Sequence, residues 1–308
     1  FTRQEMAMQA EVGALVWAGD SDRRRAVGKE HALIVDAIRS GDTTRARALA
    51  EDHVRRDMNG LIDLRMSMEP PPPGPPPGNE DIDRTVSAVK LFTVSLEGNV
   101  AASIKTIEEA VQTDLDHTKN GTLDELTNVY DAALRNLARA MPAVYGNGFA
   151  ADPSFFGEMG FIWCYLPSDP ESPQRMELDL EFYDYSTAPW WPGKDTDEKV
   201  HASYAYVDAF GANEYLVTFT KPVIREGRMV GVAAVDILVR GLQAGFDPFL
   251  RSLPSNTCIV DQNDVVIATN TAKLLGGTLP RSHQTDRRIT LPPVPWTLYI
   301  GVSAETGD

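Results

Sequence analysis

Aromatic and acidic side chains are concentrated between residues 182 and 237. Residues 182–191 read FYDYSTAPWW, and Tyr204, Tyr206 and Asp208 follow. Asp236 then lies near the end of the apolar run 229–238, where a buried carboxylate is costly unless it has a partner. Because the faces of Trp and Tyr attract cations, aromatic walls with two acids predict a pocket for an ammonium group.

A plainer interpretation of these residues stays open. The aromatic side chains can be ordinary core, and the acids can cap turns; for any single residue this is the more common role. For the set as a whole we favour a binding pocket. Its predicted ligand-binding residues are Trp163, Tyr185, Trp190, Trp191, Tyr204, Tyr206, Asp208 and Asp236.

Two of the five histidines, His31 and His53, fall on the apolar faces of two predicted helices. A histidine in such a place is either a satisfied core residue or a neutral imidazole ligand for Zn²⁺ or a similar metal. On spacing alone the structural role is favoured, since two ligands are too few for a stable site.

Patterns of common enzymes are missing from the sequence. It has no P-loop, GxGxxG, HExxH or GxSxG motif and no CxxC pair, so we do not expect an enzyme. The formal net charge of −15 makes the chain a poor nucleic-acid binder, because phosphate contacts need clusters of Lys and Arg. The two cysteines, Cys164 and Cys258, are expected to be free thiols.

A proline-rich stretch divides the 308 residues into two parts. Seven prolines between residues 70 and 78 exclude helix and central strand and predict an extended spacer, which gives a linker over 67–80. Residues 1–66 have the periodicity of amphipathic helices, and 81–308 form the second domain. The negative charge falls on the second part, since residues 1–66 hold equal numbers of acids and bases.

The second domain begins with helices and continues with strands. One helix is predicted over about 82–117 and another over about 122–141, and Gly146-Asn147-Gly148 is predicted to turn the chain. Two helices before many short strands predict an α+β domain on an antiparallel sheet. The strands are predicted over 160–165, 175–179, 202–207, 215–224, 229–238, 257–261, 265–268, 287–290 and 297–302.

Residues 1–66 resemble the end of the FCD domain, the helical effector domain of FadR-type GntR transcriptional regulators. The matching pattern is Glu30-His31, an apolar helix, the turn Gly41-Asp42, an Ala-rich helix and a closing His53. The resemblance implies that His31 and His53 coordinate a divalent metal such as Zn²⁺. It also implies that DNA is contacted only through a winged-helix domain absent from this chain.

Residues from about 85 to 303 resemble a Cache (PAS-like) sensor domain, in which a long N-terminal helix precedes an antiparallel sheet that cups a small ligand. The resemblance lies in residues 184–191, 206–208 and 230–237. It implies that Trp190 and Trp191 wall the pocket. It also implies that Tyr206, Asp208 and Asp236 hold the amino group of the ligand.

One departure from that pattern concerns the ligand. Cache domains that bind amino acids place Arg just before Pro-Trp, and this chain has Ala188 there. A bidentate clamp for a carboxylate is therefore not evident. The prediction is a small amine or quaternary ammonium ligand rather than an α-amino acid.

Together these patterns predict the ligand-sensing region of a bacterial GntR-family transcriptional regulator, a cytoplasmic homodimer without membrane association. Ligand binding in the Cache pocket would change the geometry of the dimer or of the DNA-binding domain. The alternative is the Cache sensor module of a signal-transduction receptor that binds an amino acid or carboxylate. That alternative needs flanking spans of roughly 20 apolar residues, and the sequence has none.

Overall fold

The computed structural model describes residues 32–37, 39–40, 42, 45, 49, 78–118, 121–166, 172–178, 180, 184–193, 197, 199–208, 214–271, 274–279 and 287–301. Residues 32–37 are helical, as predicted. The side chain of Asp42 accepts a hydrogen bond from the N–H of Arg45 at 3.0 Å, as an N-cap residue does. The remainder of residues 1–66, and linker residues 67–77, lie outside the described residues.

The first long element is a 39-residue helix, α1 (Asn79–His117), which confirms the helix predicted over about 82–117. Its buried side chains recur every three or four residues and form one stripe along the helix. The chain leaves the helix at Thr118, which is extended. The buried stripe consists of Ile82, Val86, Val89, Thr93, Leu96, Val100, Ile104, Ile107, Ala110, Val111, Asp114 and Leu115.

A second helix, α2 (Thr127–Leu137), packs against α1. It follows a 3-10 turn over Leu123–Glu125, and Leu126 between them has φ −82° and ψ 60°, outside the helical region. The helix predicted over 122–141 is therefore two shorter segments. Buried Asp114 of α1 holds the start of α2 by accepting hydrogen bonds from both the backbone N–H and the side-chain amide of Asn128.

The main sheet has seven antiparallel strands, so the predicted α+β class with an antiparallel sheet is confirmed. Their order is β3-β2-β1-β7-β6-β4, with β5 also paired to β6. The strands are β1 (Val144–Ala151), β2 (Phe161–Tyr165), β3 (Gln174–Arg175), β4 (His201–Ala202), β5 (Tyr206–Val207), β6 (Tyr215–Arg225) and β7 (Arg228–Leu238). A four-residue helix, α3 (Pro153–Phe156), lies between β1 and β2.

The predicted turn at 146–148 is wrong, because these residues lie inside β1, near the centre of the sheet. Gly146 and Gly148 leave space on one face of the strand for the indole of Trp163 on β2. Asn147 faces the helices, where it accepts a hydrogen bond from Asn136 and donates one to the carbonyl of Ala133. The polar, glycine-rich triplet is thus a central strand shaped by its neighbours.

The hairpin of β6 and β7 matches its prediction closely. Glu226 and Gly227 form its turn, and both have positive φ, as a two-residue hairpin turn requires. The strands predicted over 175–179 and 202–207 are shorter in the structure. The first ends at Arg175, and the second is interrupted at residues 203–205.

A helix missed from the sequence, α4 (Val239–Leu250), leads to a smaller antiparallel sheet. That sheet has the order β10-β11-β8-β9. Its strands are β8 (Cys258–Val260), β9 (Val266–Thr269), β10 (Arg288–Thr290) and β11 (Thr297–Tyr299). Cys258 and Cys164 are buried free thiols, as predicted.

The main sheet has two different faces. One face packs against the helices and belongs to a hydrophobic core that continues into the smaller sheet through Ile259, Ile267 and Trp296. The opposite face carries a separate cluster, to which β7 contributes Val232 and Ala234. Because side chains alternate along a strand, Ala233 faces the helices. Asp236, two residues after Ala234, projects to the same side as Val232 and Ala234.

Candidate ligand-binding site

The face of the main sheet away from the helices is covered by aromatic side chains. Here we call them the aromatic cluster. Its rings lie close together: Phe161 stacks on Trp163 with centroids 4.8 Å apart, and Tyr185 lies 6.0 Å from Trp190. The cluster consists of Tyr145, Trp163, Tyr185, Trp190 and Tyr206, with Phe161, Tyr165 and Trp191 partly buried beside them.

Asp236 projects from β7 onto this same face. Its backbone partners are Gly146 on β1 and Thr218 on β6, so it lies near the middle of the sheet, and its side chain is 5% exposed. Thr218 Oγ1 donates to Asp236 Oδ1 at 2.7 Å, and the hydroxyl of Tyr206 lies 2.7 Å from the same Thr218 oxygen. Since Thr218 has one proton to donate, Tyr206 donates to Thr218, and a chain of hydrogen bonds ends on the carboxylate.

Asp208 adds a second carboxylate near Asp236. It is buried at the end of β5, and its N–H donates to the carbonyl of Glu214 at 3.1 Å. Burial and then the charge of Asp208 hold the pKa of Asp236 well above its usual range, and the hydrogen bond from Thr218 opposes them. Two acids at one desolvated place repel each other, so the arrangement favours a proton or a cation between them.

The segment 184–191 covers one side of the cluster. Asp184 caps a 3-10 turn (Tyr185–Thr187) by accepting from the N–H and the hydroxyl of Ser186. The hydroxyl of Tyr185 accepts from the N–H of Gly160 and donates to the carbonyl of Ala151 at 2.7 Å. Burial raises the pKa of Tyr185 to about 12. The plainer interpretation therefore holds for the hydroxyl of Tyr185, which fixes this segment to the sheet.

Trp190 and Trp191 stand as adjacent aromatic walls. Their ring centroids are 6.0 Å apart in an edge-to-face arrangement, and Trp191 lies 5.2 Å from Tyr185. Trp190 is buried and Trp191 half-buried. Ala188, where the amino-acid-binding pattern has Arg, is half-buried and packs against the cluster.

Tyr204 is the one predicted site residue that the structure leaves at the surface. It is 37% exposed, between β4 and β5, and it does not join the aromatic cluster. Trp163, Tyr185, Trp190, Trp191, Tyr206, Asp208 and Asp236 come together on one face, and a ligand-binding role for all eight stays a prediction.

Thr218 is a site residue that the sequence analysis missed. Nothing in its local sequence marks it, because its role comes from the register of β6 against β7. The indole N–H of Trp163 was also missed; it is buried and has no hydrogen-bond partner among the residues that the structure describes. The only sequence sign of its special position is the pair Gly146 and Gly148 on the neighbouring strand.

The predicted metal ligands, His31 and His53, lie outside the described residues. Within the described ranges no group of three or more His, Cys, Asp or Glu side chains could hold a metal ion. No helix in these ranges is long and apolar enough to cross a membrane. The bound Zn²⁺, the homodimer, the DNA contact and the cytoplasmic location stay predictions.

Comparison with known proteins identifies one matching family. Residues 130–244 match the model of the methyl-accepting chemotaxis protein-like, first PDC sensor domain. This is a family of sensor domains, which favours the prediction that the chain is not an enzyme. No curated protein matches the chain.

Solved structures of chemoreceptors are similar to this chain at low identity. The ligand-binding domain of Campylobacter jejuni chemoreceptor Tlp3, in complex with L-valine, is 20% identical with a TM-score of 0.47, covering 72% of this chain and 89% of that one. The ligand-binding domain of Pseudomonas fluorescens chemoreceptor CtaA, in complex with L-valine, is 16% identical with a TM-score of 0.46. That match covers 79% of this chain and 98% of the other.

The comparisons support the receptor-sensor alternative of the sequence analysis. They give no support to its leading interpretation, the FCD resemblance and the GntR regulator. The long N-terminal helix and the antiparallel sheet fit the predicted Cache-like fold. Residues 130–244 of this chain are similar to the PDC sensor domain of methyl-accepting chemotaxis proteins.

Proposed function

We propose that this chain is the sensing part of a signal-transduction receptor, and that the aromatic cluster binds the ammonium group of a small solute. The observation that carries the proposal is Asp236, a carboxylate buried beside Asp208. A buried charge without a partner is costly, and a cationic ligand supplies that partner. The matched family of chemotaxis sensor domains supports the signalling role.

The surroundings of Asp236 suit an ammonium group in two further ways. Trp190, Trp191 and Tyr206 present aromatic rings on the same face of the sheet, and such rings attract cations more strongly when desolvated. Thr218 already donates to one oxygen of Asp236, so the carboxylate is held in a fixed orientation. Its fixed position favours a directed hydrogen bond from a ligand N–H.

Ligand binding could reach the smaller sheet through Asp261. Asp261 follows β8, and its Oδ2 accepts from the N–H of Ala205 at 2.7 Å. Ala205 directly precedes Tyr206 on β5, which touches the site. If ligand binding moves residues 205–208, the hydrogen bond from Ala205 to Asp261 transmits that movement to the smaller sheet. Binding would then shift the population between two arrangements of the domain.

The test compares two variants that keep shape and remove charge, Asp236→Asn and Asp208→Asn. Binding of ethanolamine, n-propylamine and L-alanine is measured by isothermal titration calorimetry on the full chain. We expect each variant to weaken binding of the ammonium ligands by roughly ten-fold or more, since hydrogen bonds to charged groups contribute about 1.5–3 kcal/mol.

Asp114→Asn is the matched control, because Asp114 is an equally buried acid on the helix side of the sheet. It should leave binding unchanged even if it lowers stability. The proposal fails if wild-type protein binds none of these ammonium compounds, or if both site variants bind them as tightly as wild type.

A further inference from the structure

The indole N–H of Trp163 is a buried donor without a partner. Trp163 is 2% exposed, and its Nε1 has no hydrogen bond to any residue in the described part of the chain. A buried N–H without an acceptor is destabilising, and such groups are uncommon in native structures. Because Trp163 belongs to the aromatic cluster, a ligand bound there can supply the acceptor that this N–H lacks.

The N–H of Trp163 occupies the space that a side chain at position 146 would fill. A Cβ built on Gly146 would stand 2.5 Å from Trp163 Nε1, so the nitrogen lies over the place where that side chain would project. Gly146 is the backbone partner of Asp236. Because directly paired residues place their Cβ atoms about 5 Å apart on one face, Trp163 Nε1 and the Asp236 side chain lie on the same face of the sheet, above neighbouring strands.

The chemistry of the donor restricts what can satisfy it. An indole N–H only donates, and an ammonium group also only donates. The ammonium that the two carboxylates attract therefore cannot be the partner of Trp163. A partner for this N–H must therefore be an acceptor atom.

We propose that Trp163 Nε1–H donates to an acceptor oxygen on the same ligand whose ammonium group contacts Asp236 and Asp208. The ligand class is then a small cation with a hydroxyl or carbonyl oxygen a few bonds from its nitrogen. Amino alcohols, amino amides and amino acids share this chemistry. The inference rests on the proposed function and adds the second recognition contact.

The charges of the site favour a neutral oxygen over a carboxylate. Asp208 and Asp236 repel an incoming carboxylate, and no arginine belongs to the described part of the aromatic cluster. One N–H donor satisfies a single carbonyl or hydroxyl oxygen, whereas a carboxylate has two oxygens to satisfy. We therefore expect L-alaninamide and ethanolamine to bind more tightly than L-alanine.

The test is a cycle of two ligands and two proteins, measured by calorimetry. Ethanolamine and n-propylamine have the same length and charge, and only ethanolamine carries an acceptor oxygen. Wild type should bind ethanolamine roughly ten-fold more tightly, in the range for one good hydrogen bond. Trp163→Phe keeps an aromatic ring stacked on Phe161 and removes the N–H, so the preference should fall below roughly two-fold.

Trp296→Phe is the matched control. Among the described residues, Trp296 is the other buried indole whose N–H has no partner, and it lies in the core on the helix side, against Phe219 and Phe246. This variant should keep the wild-type preference for ethanolamine. If Trp163→Phe does not fold, β-(3-benzothienyl)alanine at position 163 replaces the N–H by sulfur in a ring of the same shape.

Each outcome decides the inference. Loss of the ethanolamine preference in the Trp163 variant alone supports it. Equal weakening of both amines, or a preference that persists, overturns it, since the indole then acts by packing or another group donates. If wild type binds both amines equally, this inference fails while the proposed function stands; if it binds no amine, both fail. L-Alanine and L-alaninamide, titrated in parallel, distinguish a carboxylate from a neutral acceptor.

Discussion

Asp236 determines the electrostatics of the site because it combines burial with a like-charged neighbour. The sequence marks this residue correctly, since an acid inside an apolar run is unusual whatever the fold. The sequence could not supply its partners: Thr218 lies 18 positions away, and only the register of β6 against β7 brings the two together. The unpaired N–H of Trp163 was hidden for the same reason.

The raised pKa of Asp236 predicts that affinity for an ammonium ligand increases with pH. The folded protein holds a proton on Asp236 at pH values where an ordinary Asp, with a pKa of 3.8, has lost it. The bound cation needs the ionised form, so binding releases that proton. Affinity should rise by up to about ten-fold per pH unit below the folded pKa and level off above it.

The same shift predicts that the contribution of Asp236 to the stability of the ligand-free protein falls as pH rises above about 4, through the raised pKa of its folded form. In this window the unfolded chain releases the proton that the folded chain keeps, which favours unfolding. Asp236→Asn removes this slope in stability and also the pH dependence of binding. Calorimetry and urea denaturation from about pH 4 to pH 8 measure both, and a wild-type stability profile parallel to that of Asp236→Asn would contradict the assignment.

At the scale of elements, the glycines of β1 allow β2 and its Trp163 to pack closely against that strand. A Cβ on Gly148 would overlap the carbonyl oxygen of Ile162 and stand 2.8 Å from the Cα of Trp163. Helix α1 and the β6–β7 hairpin were predictable because their patterns are local. The turn assigned to 146–148 was wrong because the reason for its glycines is a tryptophan on another strand.

Two glycine substitutions should therefore have opposite effects on stability. Gly98 lies in the exposed middle of α1 with open space around it, so Gly98→Ala should raise the free energy of unfolding by about 0.5–1 kcal/mol. Gly148→Ala should lower it by about 1–3 kcal/mol, since backbone atoms of β2 must move.

Urea denaturation gives both values, and ligand titration adds a second readout. Gly148→Ala displaces Trp163 and should weaken binding of ethanolamine, whereas Gly98→Ala should not. A Gly148→Ala protein as stable as wild type would show that β1 and β2 do not approach as closely as the structure has them.

For the whole molecule, local sequence patterns do not predict how the two sheets are connected. The strands of the smaller sheet were predicted near their observed positions, but nothing in the sequence connects them to the site. The structure provides two connections: a continuous hydrophobic core that includes Trp296, and the carboxylate of Asp261. Asp261 accepts backbone N–H groups of Asn263 and Val265 in its own turn and of Ala205 beside β5.

Asp261→Ala should weaken ligand binding although Asp261 does not belong to the aromatic cluster. The substitution leaves the N–H of Ala205 without its acceptor, which loosens the segment that carries Tyr206 and Asp208. We expect a loss of about 1–3 kcal/mol in the free energy of unfolding and weaker binding of ethanolamine. Asn263→Ala is the matched control, because it lies in the same turn and keeps its own backbone N–H. If Asp261→Ala lowers stability but binds ethanolamine as tightly as wild type, the smaller sheet supports the fold without communicating with the site.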